Sequence, residues 1–294
     1  MNFLITGSNG FIGKTLCLRL STNGHKVTRI EKSYTPDLEK YSNDNFDCLV
    51  HLAGLAHVKN RTSLQNHELY TDANLIYSLR IAQLAKKLKV KRFVFISSIG
   101  VNGKKTENTP FTEKDVPNPH NPYSTSKLQA EIALQELFDG SSTELTIIRP
   151  PLVYGANAKA NFKHLVYLCK LPFPLPFGAI NNRRSFIGID NLCDFIEVCS
   201  EHPAAANQTF LISDNFDVST TELILTIKEA LNAQPLLAPI PPLILNFLFK
   251  SLGKNNLSDQ LISNLQVDIT KAITLLAWKP KLSFREGIKR AVTE

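Results

Sequence analysis

Tyr123 and Lys127 stand four residues apart in a stretch of helical periodicity, which places a phenol and an ammonium on one helix face. A phenol titrates at about 10 in water. A neighbouring ammonium and a cationic nicotinamide ring would both favour the phenolate and make Tyr123 an acid/base at working pH. Ser97 and Ser98 close the apolar run Phe93-Val94-Phe95-Ile96, and catalytic groups gather at such strand ends in open α/β sheets. The Ser98 hydroxyl would hydrogen-bond an alcohol or ketone oxygen and hold it in line for hydride transfer. A Tyr-xxx-Lys/Arg pair alone decides little, since seven tyrosines would produce about one by accident.

The dinucleotide such chemistry needs has a matching cradle at the front of the chain. Phe3-Leu4-Ile5-Thr6 runs into Gly7-Ser8-Asn9-Gly10-Phe11-Ile12-Gly13, an apolar strand followed by three glycines spaced three apart. With a helix over Lys14 to Thr22, this turn points backbone N–H groups and the positive helix end at one spot, which suits a pyrophosphate. Gly7 permits the turn, Gly10 lets phosphate approach, and Gly13 lets the helix pack on the strand. The bland alternative is an ordinary strand–turn–helix connection.

These groups need a scaffold that brings distant segments to one edge. Strands are expected at Lys26 to Ile30, Phe46 to Leu52, Phe93 to Ile96 and Leu145 to Ile148, and helices at Leu75 to Leu88 and Ser124 to Phe138. Their alternation predicts an α/β fold with a doubly wound parallel Rossmann sheet. Few residues separate Glu31 from Phe46, so the second crossover is curtailed, with a short strand expected around Pro36-Asp37-Leu38. Prolines then become dense, at Pro150-Pro151, Leu171 to Gly178 and Pro239 to Pro242, and they mark a smaller C-terminal α/β lobe. The expected division is 1–154 as the dinucleotide-binding domain, rejoined by 184–213, with 155–183 and 214–294 as the substrate lobe.

Composition narrows the classes further. The 294 residues are 43% hydrophobic, enough for a large core, and the net charge of +7 comes from scattered lysines, which read as solvated helix faces. No aromatic-basic face points to nucleic acid. Five cysteines without a CxxC pair read as reduced thiols of a cytoplasmic protein, and seven histidines form no ligand-spaced cluster, so no metal is expected. The longest apolar run, Leu243 to Phe249, is too short to span a bilayer, and no signal peptide is read at the N-terminus.

With glycine turn, serine and Tyr-xxx-Lys in order, the chain resembles the extended short-chain dehydrogenases/reductases, in their nucleotide-sugar epimerase/dehydratase branch. The likeness takes in His51-Leu52-Ala53-Gly54, Asn74, Phe93 to Ser98, Pro122 to Lys127, Arg149 to Gly155, Arg183 to Leu192 and Trp278-Lys279-Pro280. By this resemblance Ser98, Tyr123 and Lys127 are catalytic, and Lys127 also holds the nicotinamide ribose. The cofactor-binding set is Gly7, Asn9, Gly10, Phe11, Ile12, Gly13, Glu31, Asp37, Leu38, Leu52, Ala53, Gly54, Asn74, Tyr123, Lys127, Pro150 and Val153. Glu31 aligns with the acid that holds adenosine ribose and favours NAD; Arg29 and Lys32 beside it keep NADP open. Asp37 and Leu38 match an adenine-contacting pair, though Asp37 also reads as an acid in a polar loop.

The resemblance implies a UDP-sugar substrate, with Ser98, Asn161, Phe177 and Arg184 as its contacts. Arg184 fits the diphosphate, whose second arginine has no counterpart here. The region of Asn161 and Phe177 also reads as an ordinary proline-rich loop packing on the core. The stretch Ser98-Ile99-Gly100-Val101 lacks the acid pair of 4,6-dehydratases, which leaves hydride chemistry at C4 of a UDP-hexose or UDP-HexNAc. Net 4-keto reduction, in surface-polysaccharide synthesis, is preferred to a UDP-glucose 4-epimerase-type reaction with tightly bound NAD. A non-catalytic dinucleotide sensor or scaffold is the alternative of another class. The family also implies a homodimer through the helices holding Asn74 and Tyr123, an analogy only.

Overall fold

Alternate residues of the first strand feed two different cores. Phe3 and Ile5 of β1 (Asn2–Thr6) join one apolar cluster and Leu4 joins the other, and Val94 and Ile96 against Phe93 and Phe95 repeat the pattern in β4 (Arg92–Ile96). A strand apolar on both faces must be covered on both. Helices α1 (Phe11–Thr22) and α6 (Ile189–Glu201) cover one face, and α3 (Tyr77–Lys87) and α4 (Pro122–Phe138) the other.

The chain is described here by a computed structural model covering residues 1–30, 39–41, 44–56, 63–158, 161–253 and 255–293. Among these, β2 (Lys26–Ile30), β1, β3 (Cys48–His51), β4, β5 (Glu144–Arg149) and β8 (Gln208–Leu211) form one parallel sheet in that order. The expected strands and main helices are present. Glu31, Asp37, Leu38 and the short strand expected near them lie outside the described residues.

The first difference in detail precedes α3. There α2 (Ser63–Tyr70) runs through a π-helical segment, Thr71–Ile76, that carries the buried Asn74. Beyond β5, a two-stranded parallel sheet of β6 (Leu152–Tyr154) and β7 (Phe186–Gly188) leads into a third apolar cluster. This cluster is built with α5 (Asn161–Cys169), α7 (Thr220–Ala230), α8 (Pro242–Ser251), α9 (Asn255–Ile262) and α11 (Phe284–Thr293). Helix α10 (Thr270–Leu276) returns to the sheet beside β8. All five cysteines are buried and unbonded, and no described helix is long and apolar enough to cross a membrane.

Candidate active site

The start of α4 is fixed by its own sequence. Pro122 occupies the first helical turn, and Asn121 caps it by accepting from the Ser124 N–H at 2.8 Å. Tyr123 therefore enters the first turn and Lys127 follows one turn later. Across from them, β4 ends and Ser98 opens a 3₁₀ turn, Ile99–Val101. Its Oγ accepts from the Gly100 N–H at 3.1 Å, which leaves the serine O–H to donate elsewhere. Tyr123 lies close enough to Ser98 for that hydroxyl to pull the phenol's pKa down, so the structure brings phenol and hydroxyl together. Lys127 is buried, with Nζ 2.8 Å from the Ile96 carbonyl and 4.6 Å from the centre of the Phe95 ring.

Burial shifts both titrating groups. It pushes the Tyr123 phenol up to about 12, against a smaller downward pull from Ser98. Burial also draws the Lys127 ammonium down to about 8, while the Glu131 carboxylate pushes it back up. With its pKa at about 12, Tyr123 is a protonated phenol near neutral pH, and a bound cationic ring would lower it.

The glycine turn fits a pyrophosphate. Gly7 has φ of +69°, and a Cβ there would stand 2.7 Å from the Ala53 nitrogen. A Cβ on Gly13 would reach 2.7 Å from Ser8 Cα, so α1 packs hard against the turn. Helix α1 has no side-chain cap at Gly10 and no acid in its first turn, and its leading N–H groups are left to a phosphate. Gly54 lies by Lys127, since a Cβ there would meet Nζ at 3.2 Å and Asn74 Oδ1 at 3.0 Å. Asn74 receives the Leu55 N–H at 2.8 Å, returns a bond to the Leu55 carbonyl and donates to Ser126. The Ile99 N–H bonds the Pro150 carbonyl, tying the turn after Ser98 to the end of β5, and Val153 packs with Leu52, Phe11 and Ile12 against the first core. Asn9 is exposed on the turn.

The substrate-side candidates are more dispersed. Arg184 is half-buried, drawn down to about 10 by burial, and donates to the Ser263 carbonyl at 2.7 Å beyond α9. At that value it stays charged near neutral pH. Phe177 is buried within the third cluster, and its carbonyl accepts from Thr221. Asn161 opens α5, and its side chain lies outside the described set.

Several supporting residues escaped the sequence reading. Glu131, one turn beyond Lys127, forms a buried ion pair with Arg149 that Asn102 completes. His51, noted only within its motif, links Thr6 at 2.6 Å to Ser78 at 2.9 Å and is held neutral by burial, at about 3. Tyr70 packs by Tyr123, with ring centres 6.0 Å apart. The i+4 spacing from Lys127 to Glu131 was the one readable signal among these.

A glycine cradle, a buried lysine and a serine beside a tyrosine at the carboxyl edge of a parallel sheet form a candidate site of the kind found in nicotinamide-dependent short-chain dehydrogenases/reductases. The chain belongs to the NAD dependent epimerase/dehydratase family, whose sequence profile it matches over residues 3–213. It is 37% identical to the UDP-glucose 4-epimerase of Vibrio cholerae, over 98% of this chain and 94% of the relative. It is 26% identical to N-acetyl-alpha-D-glucosaminyl-diphospho-ditrans,octacis-undecaprenol 4-epimerase of Escherichia coli O157:H7, over 86% and 77%. A solved UDP-glucose 4-epimerase with UDP-glucose from Thermotoga maritima shares the fold, with a TM-score of 0.79 at 23% identity over 99% and 97% of the two chains. The cofactor of the family is NAD. These relatives support the 4-epimerase alternative, and the sequence-based preference for net reduction gains no support from them.

Proposed function

We propose that the protein inverts C4 of a UDP-hexose or UDP-HexNAc and retains NAD through the cycle. The observation carrying this reading over reduction is the full-length likeness to the Vibrio cholerae UDP-glucose 4-epimerase, because the site residues serve either reaction. Bound NAD supplies the acceptor for the C4 hydride and the donor that restores it to the other face. Tyr123 takes the C4 hydroxyl proton as the hydride leaves and gives it back to the ketone oxygen on return. The Ser98 O–H, its oxygen already engaged by Gly100, steadies the C4 oxygen. Lys127, one turn after Tyr123 on α4, would hold the ribose hydroxyls. We assign the cofactor to 1–154 with 184–213 and the sugar nucleotide to 155–183 with 214–294; Asn161 and Phe177 flank the diphosphate there, and Arg184, at the boundary where the chain returns, takes it.

The test is to incubate the purified protein with UDP-glucose and UDP-GlcNAc, follow the sugars by NMR, and read NADH by fluorescence. Appearance of the C4 epimer without net NADH change is expected. Stoichiometric NADH loss on a UDP-4-keto sugar, with no epimer formed from either UDP-sugar, would establish reduction instead.

A further inference from the structure

Helix α8 turns its apolar side outward. Leu245 is buried and Phe249 packs into the third cluster, and these two anchor the helix from one side. At about 100° per residue, Leu243, Phe247, Ile244 and Leu248 fan over the arc away from these two, and Leu252 follows just past the helix end. Leu243 is 82% exposed, Phe247 70% and Leu252 67%. Lys250 is also exposed and falls at the edge of this arc, beside Leu243 in helical projection.

The two chain segments that meet beside α8 carry one sign of charge, and Asp259 of the adjoining α9 is paired with Lys104. No Asp or Glu occurs between Glu229 and Asp259, and none between Glu144 and Asp190, whereas Lys163, Lys170, Arg183 and Lys250 in these segments are exposed. The two segments are joined by a bridge between Leu175 and Leu237 and by the Gly178 N–H bonding the Ala238 carbonyl. Tyr167 and Phe173 in the first segment are also exposed. More than half of the large apolar side chains exposed among the described residues fall within these two segments. An exposed apolar arc with a lysine at its edge, on a stretch of chain without acids, is the pattern of a helix lying in a bilayer interface.

We propose that α8 docks the protein on an anionic phospholipid bilayer, with the leucine and phenylalanine side chains among the acyl chains and the lysines at the headgroups. The docking is peripheral and needs no spanning segment. A second copy of this chain fits the face poorly, because a two-fold contact would press one acid-free helix with its lysine against another. The inference stands apart from the proposed reaction, since none of these side chains belongs to the candidate active site.

The experiment is flotation of the purified full chain with phosphatidylglycerol/phosphatidylcholine vesicles and with phosphatidylcholine alone, at low and high salt. Wild type is expected on anionic vesicles, with about tenfold less on neutral ones or at high salt. The double variant Leu243→Glu/Phe247→Glu should lose about tenfold in binding while circular dichroism and turnover are kept. Lys250→Glu, which leaves the apolar arc intact, should weaken binding to anionic vesicles alone. Wild type that stays off anionic vesicles overturns the proposal. So does equal flotation of wild type and double variant, or a light-scattering mass that halves in the double variant without vesicle binding.

Discussion

Each member of the Ser98–Tyr123–Lys127 trio is held by a different local device, so single substitutions should separate their roles. Tyr123→Phe removes the proton and keeps the ring that packs by Tyr70. Turnover should fall about 10²- to 10⁴-fold while NAD binding, followed by fluorescence titration, stays near wild type. The pH profile should report Lys127. Its pKa is lowered to about 8, so the ammonium is present below that value and is lost as pH rises through it. An alkaline limb of kcat/KM is therefore expected at about 8 and belongs to Lys127. Glu131 pushes that value up, and Glu131→Gln should therefore move the limb to lower pH. The same change strips the buried Arg149 of its carboxylate, and a stability loss of about 3 kcal/mol in denaturant melts is expected beside the shift. A limb that stays in place would remove Lys127 as its source.

At the scale of elements, the catalytic edge is legible where short-range chemistry dictates it and opaque where packing does. The Gly7-to-Gly13 turn, the proline start of α4 and the end of β4 are written in local residue types. The π-helical segment Thr71–Ile76 is not, because its extra residue per turn serves the hydrogen bonds of Asn74 to Leu55 and Ser126 across the fold. The His51 link from Thr6 to Ser78 is likewise a product of β1, β3 and α3 meeting. His51 is depressed to about 3, below its unfolded value of about 6.5, so its contribution is complete above 6.5 and drains away as pH falls toward 3. At pH 5 that amounts to about 2 kcal/mol. His51→Gln should start less stable at pH 7 and lose less between pH 7 and pH 5, as read from urea midpoints at both values. Gly13→Ala tests the turn itself: its methyl meets Ser8 Cα and the Gly7 carbonyl, so α1 must lift from the turn. NAD affinity should drop at least about tenfold while Tyr123 and Lys127 stay in place.

Over the whole molecule, the parallel sheet and the two apolar faces of its strands followed from alternation in the sequence, because a parallel strand buried on both sides has few other ways to read. What the sequence concealed is how the last residues hold the first helix. Asp194 of α6 sits buried among three partners from distant parts of the chain: Arg19 of α1, the Trp278 indole at 2.8 Å, and Lys281 at 2.6 Å. Trp278 also lies edge-on to Phe195, 4.9 Å between centres, and Glu197 takes a second bond from Arg19 at 2.6 Å. This junction fixes α1 against α6 and, through α1, the floor of the glycine turn. Spacing gave no hint of it, since α1, α6 and the Trp278 segment lie far apart along the chain. The partners should count unequally. Lys281 is two-thirds exposed, and Lys281→Ala should cost under about 1 kcal/mol, as surface pairs do. Asp194→Asn keeps the shape but leaves the Arg19 guanidinium without its buried charge, and about 2 to 3 kcal/mol should be lost. In thermal melts with NAD absent the first variant should track wild type and the second should melt several degrees lower; equal melting of the two would mean that the junction is held by the Trp278–Phe195 contact and not by the carboxylate.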